Sequence, residues 1–92
     1  MAITATIPYG GLTFSGMTFS VKSAYVKELV GEEPYLSYSV EVKLPDGTIQ
    51  QSVGWDSVKA VADPAEPSPL VQAEAAMIAR LQATGATNIV EV

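Results

Sequence analysis

The sequence predicts an α+β fold in which a mostly antiparallel sheet of four to five strands carries one C-terminal helix on one face. Residues 36–44 alternate apolar and polar side chains, which is the period of a half-buried strand. Residues 69–84 repeat apolar side chains at helical spacing. With 92 residues, the chain is expected to form a single domain, residues 1–92, because two smaller cores would each bury too little apolar surface.

The N-terminal part predicts a hairpin. Residues 3–7 are β-branched or small and predict the first strand, and Pro8-Tyr9-Gly10-Gly11 has the composition of a turn. Residues 12–14 resume the extended pattern, and Ser15-Gly16 predict a bulge or bend.

A long extended segment follows at residues 18–30. Its apolar parity switches near Ser23, which indicates a bulge or a crossing between two packed surfaces. Gly31-Glu32-Glu33-Pro34 predicts the turn that ends it.

The most regular pattern of the chain predicts a strand in the middle of the sheet. Its apolar positions are Leu36, Tyr38, Val40, Val42 and Leu44. Pro45-Asp46-Gly47 predicts a tight turn, because Pro presets its own φ and Gly tolerates a positive one. Residues 48–61 are expected to return as the partner strand, with Ile49, Val53 and Trp55 at one parity.

The C-terminal third predicts a stiff connection, a helix and a last strand. Residues 63–69 contain three prolines, which cannot join a ladder or a helix interior. Ser68 is the expected N-cap, Pro69 the first helical residue and Gly85 the left-handed residue after the helix. Residues 86–92 predict the final strand. The apolar stripe of the helix comprises Leu70, Val71, Ala75, Met77, Ile78 and Leu81.

The net charge of −5 argues against nucleic acid and against anionic membranes as partners. The five cations are scattered along the chain and form no run: Lys22, Lys27, Lys43, Lys59 and Arg80. No stretch approaches the ~20 apolar residues that a membrane-spanning helix needs.

Reactive side chains are few. The chain contains no histidine and no cysteine, so neither an imidazole base nor a thiolate is available. The ten acids lack the spacing of a calcium-binding loop. Asp56 is the only acid beside a large aromatic residue, and we expect Trp55 to pack on the sheet while Asp56 faces water. The sequence therefore predicts no enzyme, no cofactor and no metal site.

Protein–protein contact is the activity that the composition favours. Only 16% of the residues are charged, against about 25% in typical domains, which leaves apolar surface for another chain. Tyrosine and tryptophan are enriched at interfaces, and the two terminal strands and the proline-rich connection are expected to be accessible. The candidate interface residues are Ile3, Ala5, Ile7, Tyr25, Tyr35, Trp55, Pro64, Pro67, Ile89 and Val90.

The order of these segments resembles small virion-associated proteins of tailed bacteriophages. The resemblance lies in residues 12–16, Ala24-Tyr25-Val26-Lys27, residues 36–42 and residues 72–92, although the proline-rich connection departs from the pattern. It implies a structural or assembly role at the head–tail connection or in the tail, in many copies, after synthesis in the host cytoplasm. The implied partners are other virion proteins and the chain itself, as a homo-oligomer.

Two functions follow as expectations. The first is a non-enzymatic structural or assembly component of a tailed-phage virion, whose incorporation should require residues 1–7. The alternative is a small acidic inhibitor or regulator that binds a basic surface of a host protein, because ten acids would steer it toward such a surface.

Overall fold

The computed structural model describes residues 2–9, 11–50 and 55–91. It contains six strands and one helix in these ranges. They are β1 (Ala2–Tyr9), β2 (Leu12–Lys27), β3 (Tyr35–Lys43), β4 (Ile49–Gln50), β5 (Val58–Val61), α1 (Pro69–Ala83) and β6 (Thr87–Glu91). The predicted α+β class is confirmed, with one antiparallel sheet and a C-terminal helix packed against it.

The sheet is five strands wide, in the order β4-β3-β2-β1-β6. The short strand β5 pairs with residues 35–38 of β3 and β4 with residues 42–43, so both lie along the same edge of β3. Strand β1 pairs with β2 on one side and with β6 on the other. The first strand is therefore an interior strand, and the expectation that it offers a free edge to a partner is wrong.

Two bulges adjust the long strand β2 without interrupting it. Ser15 and Gly16 together oppose the single residue Thr6, with Gly16 at φ 72°. Lys22 is the extra residue where β2 pairs with β3. Both lie where the sequence predicts a bulge, and each restores the apolar side chains to the helix-facing side of the sheet.

Within the expected return strand of residues 48–61, the described residues form β4 and β5, and both pair with β3. Val53 lies outside the described residues. Trp55 sits between β4 and β5, where its carbonyl accepts a hydrogen bond of 2.8 Å from the Val40 N–H. Its side chain is buried, whereas Ile49 is 58% exposed, so the shared parity predicted for these two residues does not give them a shared environment.

The boundaries of α1 follow the predicted signals. The Ser68 hydroxyl accepts a hydrogen bond from the Val71 N–H, Pro69 opens the helix, and Gly85 adopts φ 88° just beyond it. Thr84 is the C-cap, one residue after the last helical residue.

The buried face of α1 differs from the predicted stripe. Ala73, Met77 and Leu81 are fully buried, whereas Leu70 and Val71 are about half exposed. Ala75 is also exposed. The helix packs with its 73/77/81 row against β2 and β3, because alanine at 73 lets the helix approach the sheet closely.

The core lies between α1 and one face of the sheet. The buried apolar residues are Ile3, Ala5, Met17, Phe19, Leu36, Tyr38, Val40, Val42, Trp55, Ala73, Met77 and Leu81. A 15-residue helix is about 22 Å long, whereas a 16-residue strand reaches about 50 Å. The helix therefore covers only part of β2, and the sheet extends beyond it within a shape of 42 × 25 × 21 Å.

Candidate protein-interaction surfaces

Three surfaces of the described chain are candidates for binding: the open face of the sheet, a cleft at one end, and the hairpin tip at the other. The open face is the side of the sheet opposite α1. The strand register assigns to it small hydroxyl side chains, two tyrosines and three exposed aliphatic residues, namely Thr4, Thr6, Thr18, Ser20, Ser23, Tyr25, Tyr35, Ser37, Ser39, Ile49, Val61 and Val90. The Ser23 and Ser39 hydroxyls are 2.7 Å apart across β2 and β3.

All four lysines of the chain lie on the open face. Lys22 and Lys43 flank Glu41, with Nζ–Oε distances of 3.2 and 3.5 Å. Lys59 lies 4.3 Å from the centre of the Tyr35 ring, and Lys27 pairs with Tyr35 from the other side. Among the strand residues of this face, four lysines stand against one glutamate, a charge of +3.

The lysines lower the pKa of the Glu41 carboxyl below its ordinary value. The hydrogen bond from Lys22 is the largest cause, and the positive charges of both neighbours add to it. Glu41 is thus ionised at neutral pH, but one carboxylate cannot neutralise two ammonium groups. The open face keeps a positive charge in a chain that is acidic as a whole.

The acidic cleft lies where β2, β5 and the start of the proline-rich connection meet. Its volume is about 470 Å³. Its described lining combines apolar side chains with four acidic residues and contains no lysine or arginine. The lining residues are Val26, Glu28, Glu33, Pro34, Val61, Ala62, Asp63, Pro64, Glu66, Pro67 and Gln72.

Hydrogen bonds from the helix hold the proline-rich connection in place. The Asp63 N–H donates to Gln72 Oε1 at 2.8 Å, and Gln72 Nε2 donates to the Glu66 carbonyl at 2.7 Å. The Asp63 carboxylate accepts from the Ala65 N–H, and the Glu66 carboxylate from the Ser68 N–H. The wall of the acidic cleft is thereby preorganised, which lowers the entropy cost of binding there.

The hairpin tip comprises the end of β1 from residue 7 to residue 9 and the start of β2 from residue 12 to residue 14. Ile7 pairs with Phe14 on the helix-facing side of the sheet, and Leu12 continues that side. Leu12 is 64% and Phe14 37% exposed, and neither packs against the buried core. Among the described residues, the helix-facing side of the sheet thus carries two exposed apolar side chains at this end.

Both edges of the sheet are poor templates for an added strand. Asn88 adopts φ 52° and forms a bulge in β6 opposite Ala5. On the other edge, within the described residues, β5 is only four residues long. Bulges and short edge strands disfavour pairing between chains, so contacts through side chains are favoured over contacts through strand edges.

Three candidate interface residues are corrected by the structure. Ile3 and Ala5 are each 2% exposed, because β1 is an interior strand whose side chains face α1. Trp55 is 9% exposed, with the Phe19 ring 5.6 Å away and the Arg80 guanidinium 4.3 Å from its own ring. These side chains hold the core together and are not available to a partner. Asp56 is exposed beside Trp55, as predicted.

The other candidates fall on different surfaces. Tyr25 and Tyr35 lie on the open face and Pro64 and Pro67 on the acidic cleft, while Ile7 belongs to the hairpin tip. Ile89 is half-buried against the core, and Val90 is 56% exposed on β6. Sequence reasoning missed the lysines and Leu12. The signal for Lys43 and Lys59 was their position between apolar residues, which assigns them to the solvent side of each strand.

The described residues contain no group of three or more carboxylates placed to hold a metal ion. In the same part of the chain, α1 is too short and polar to cross a bilayer. Comparison of the chain with models of protein families, with curated proteins and with solved structures finds no match.

Proposed function

We propose that the protein is a non-enzymatic structural or assembly component of a tailed-phage virion, at the head–tail connection or in the tail, that acts through protein–protein contacts. The phage context is supported by the segment resemblance over residues 12–16, 24–27, 36–42 and 72–92. Action through protein–protein contacts is supported by apolar side chains that are exposed on the surface. Its partners are other virion proteins and further copies of the chain.

The observation that carries the proposal is the uncovered apolar side chains at both ends of the sheet. Leu12 and Phe14 are exposed at the hairpin tip, and Val26 and Val61 at the acidic cleft. Val61 is 90% exposed although it ends a strand of the sheet. Clustered exposed apolar side chains lower the free energy of the chain when a partner covers them, at about 25 cal/mol per Å² of buried apolar area.

Particle analysis tests this function. Density-purified particles of the phage that encodes the chain are expected to contain it in several copies, as measured by quantitative mass spectrometry. A double variant, Leu12→Ser with Phe14→Ser, is expected to reduce incorporation at least about ten-fold, because burying two large side chains contributes more than the ~1.4 kcal/mol that corresponds to a factor of ten.

The matched control is Val71→Ser, which removes a half-exposed apolar side chain from α1, outside the three candidate surfaces. Circular dichroism should show all variants folded. A chain that is abundant in infected cells and missing from purified particles contradicts the proposal. Deletion of residues 1–7 is not a usable test, since it removes the interior strand β1 and two core residues.

The alternative function, a small acidic inhibitor or regulator of a host protein, is favoured by the acidic cleft. Four carboxylates around apolar stems suit a lysine or arginine side chain from a basic surface. The test is capture of a host protein by the wild-type chain in a one-to-one, salt-sensitive complex. Loss of that complex in the double variant Glu28→Lys with Glu33→Lys would establish this function instead.

A further inference from the structure

The charges of the molecule are separated between two surfaces. The open face carries Lys22, Lys27, Lys43 and Lys59 against Glu41, whereas the rest of the chain carries Arg80 against nine acids, a charge of −8. Net charge alone indicates an acidic protein. The fold instead produces one basic surface on an otherwise acidic molecule.

The acidic cleft is the strongest complement to the open face on the same molecule. Glu28, Glu33, Asp63 and Glu66 line it, and within the described residues no ion pair joins any of them to a lysine. A lysine side chain from outside would pack its carbon stem on the prolines and valines of the wall while its ammonium group reaches the carboxylates.

The open face offers such side chains. Lys22 is 58% and Lys43 45% exposed, and they share one carboxylate. Lys27 is the last residue of β2. Around them lie serine and threonine hydroxyls and the 51%-exposed ring of Tyr25, which contribute hydrogen bonds and apolar contact area with few long side chains to order.

We infer that copies of this chain associate head to tail, with the open face of one copy docked on the acidic cleft of the next. The inference rests on the proposed structural function, for which a second copy is among the partners, and it names the surfaces of that contact. Because the two surfaces differ, the contact is heterologous and repeats from copy to copy, giving a ring where the rotation closes and a stack where it does not.

Solution mass measured by light scattering and sedimentation tests this association. The purified wild-type chain is expected to form species larger than a dimer at low salt and to dissociate as sodium chloride rises from about 0.05 M to about 0.5 M, because screening shortens the range of charge attraction. Two variants should each be monomeric: the face variant, Lys22→Gln with Lys43→Gln, and the cleft variant, Glu28→Lys with Glu33→Lys. Each is expected to weaken association at least about ten-fold.

Mixing the two variants gives a sharper test. The face variant keeps an intact cleft and the cleft variant an intact face, so the mixture is expected to yield a one-to-one dimer and nothing larger. An association through two identical surfaces would not produce this result. The matched control is Glu32→Lys with Glu91→Lys, which makes the same charge change outside the cleft and should still assemble.

Any of three assembly results would overturn the inference: a wild-type chain that stays monomeric at low salt, face and cleft variants that still assemble, or a mixture without dimers. Salt-sensitive binding of a single-stranded oligonucleotide by monomeric protein, lost in the face variant, would overturn it in favour of a polyanion. None of these results bears on whether purified particles contain the chain. The proposed function is therefore tested separately, by the mass spectrometry of purified particles.

Discussion

Truncating two leucines of the same helix distinguishes the face of α1 that packs on the sheet from the stripe that periodicity alone predicts. Leu81 is 1% exposed and sits in the core, whereas Leu70 is 48% exposed at the first turn. The sequence pattern assigns both residues to the buried side. The substitutions Leu81→Ala and Leu70→Ala remove the same atoms from the same helix, so the difference between them reports burial alone.

The expected magnitudes differ at least three-fold. Leu81→Ala leaves a cavity between α1 and the sheet and should lower the free energy of unfolding by about 3–5 kcal/mol. Leu70→Ala removes a half-exposed side chain without creating a cavity and should cost about 1 kcal/mol or less. A domain of this length has a stability of about 5–14 kcal/mol, so the Leu81 variant loses a large share of it.

Urea denaturation followed by tryptophan fluorescence measures both values, because Trp55 is the single tryptophan and is buried in the core. Far-UV circular dichroism should give coincident transitions. The melting temperature of Leu81→Ala should fall by more than about 10 °C. Equal losses for the two variants, or a larger loss at Leu70, would refute the packing described for α1.

Two further predictions concern pH. The Thr48 N–H, 2.8 Å from Asp46 Oδ1, holds the pKa of Asp46 below its ordinary 3.8. The stabilisation that the ionised Asp46 carboxylate gives the fold is therefore present above pH 3.8 and lost as the pH falls through the lowered pKa. Asp46→Ala should lower the free energy of unfolding at neutral pH but not in acid. Asp46→Asn retains a hydrogen-bond acceptor and should lower it less. Burial raises the pKa of the Tyr38 phenol above 10.0, against an opposing effect of Arg80. Because the unfolded chain ionises first, stability should fall as the pH rises through 10.0 toward the raised pKa of the folded chain, and Tyr38→Phe should remove that fall. An unchanged pH dependence in urea titrations would contradict this prediction.

Much of the fold could be predicted from local patterns. The alternation at residues 36–44 gives a strand whose even positions are buried, and the Ser68-Pro69 and Gly85 signals fix the ends of α1. The bulges at Gly16 and Lys22 were visible as a glycine within an extended segment and as a switch of parity. These features depend on backbone dihedrals and on the period of side chains, which a few neighbouring residues determine.

The candidate surfaces could be predicted only in part. Tyr25, Pro64 and Pro67 do lie on accessible surfaces, but Ile3 and Ala5 are in the core because β6 pairs with β1 and makes it an interior strand. That pairing joins residues more than 80 positions apart, and no local pattern specifies it. For the same reason, the terminal position of a strand in the sequence does not make it an edge of the sheet.

By itself, the sequence determined the class of the fold, the position of its helix and the overall negative charge, since these depend on composition and on short-range periodicity. The tertiary structure decided where that charge lies. Four lysines that are scattered over 38 positions of the chain meet on one face because antiparallel pairing places the solvent sides of β2, β3 and β5 together, and four acids meet at one end because the proline-rich connection folds back against the turn after β2. Contacts between distant residues create both surfaces, which is why neither could be seen in the order of the residues.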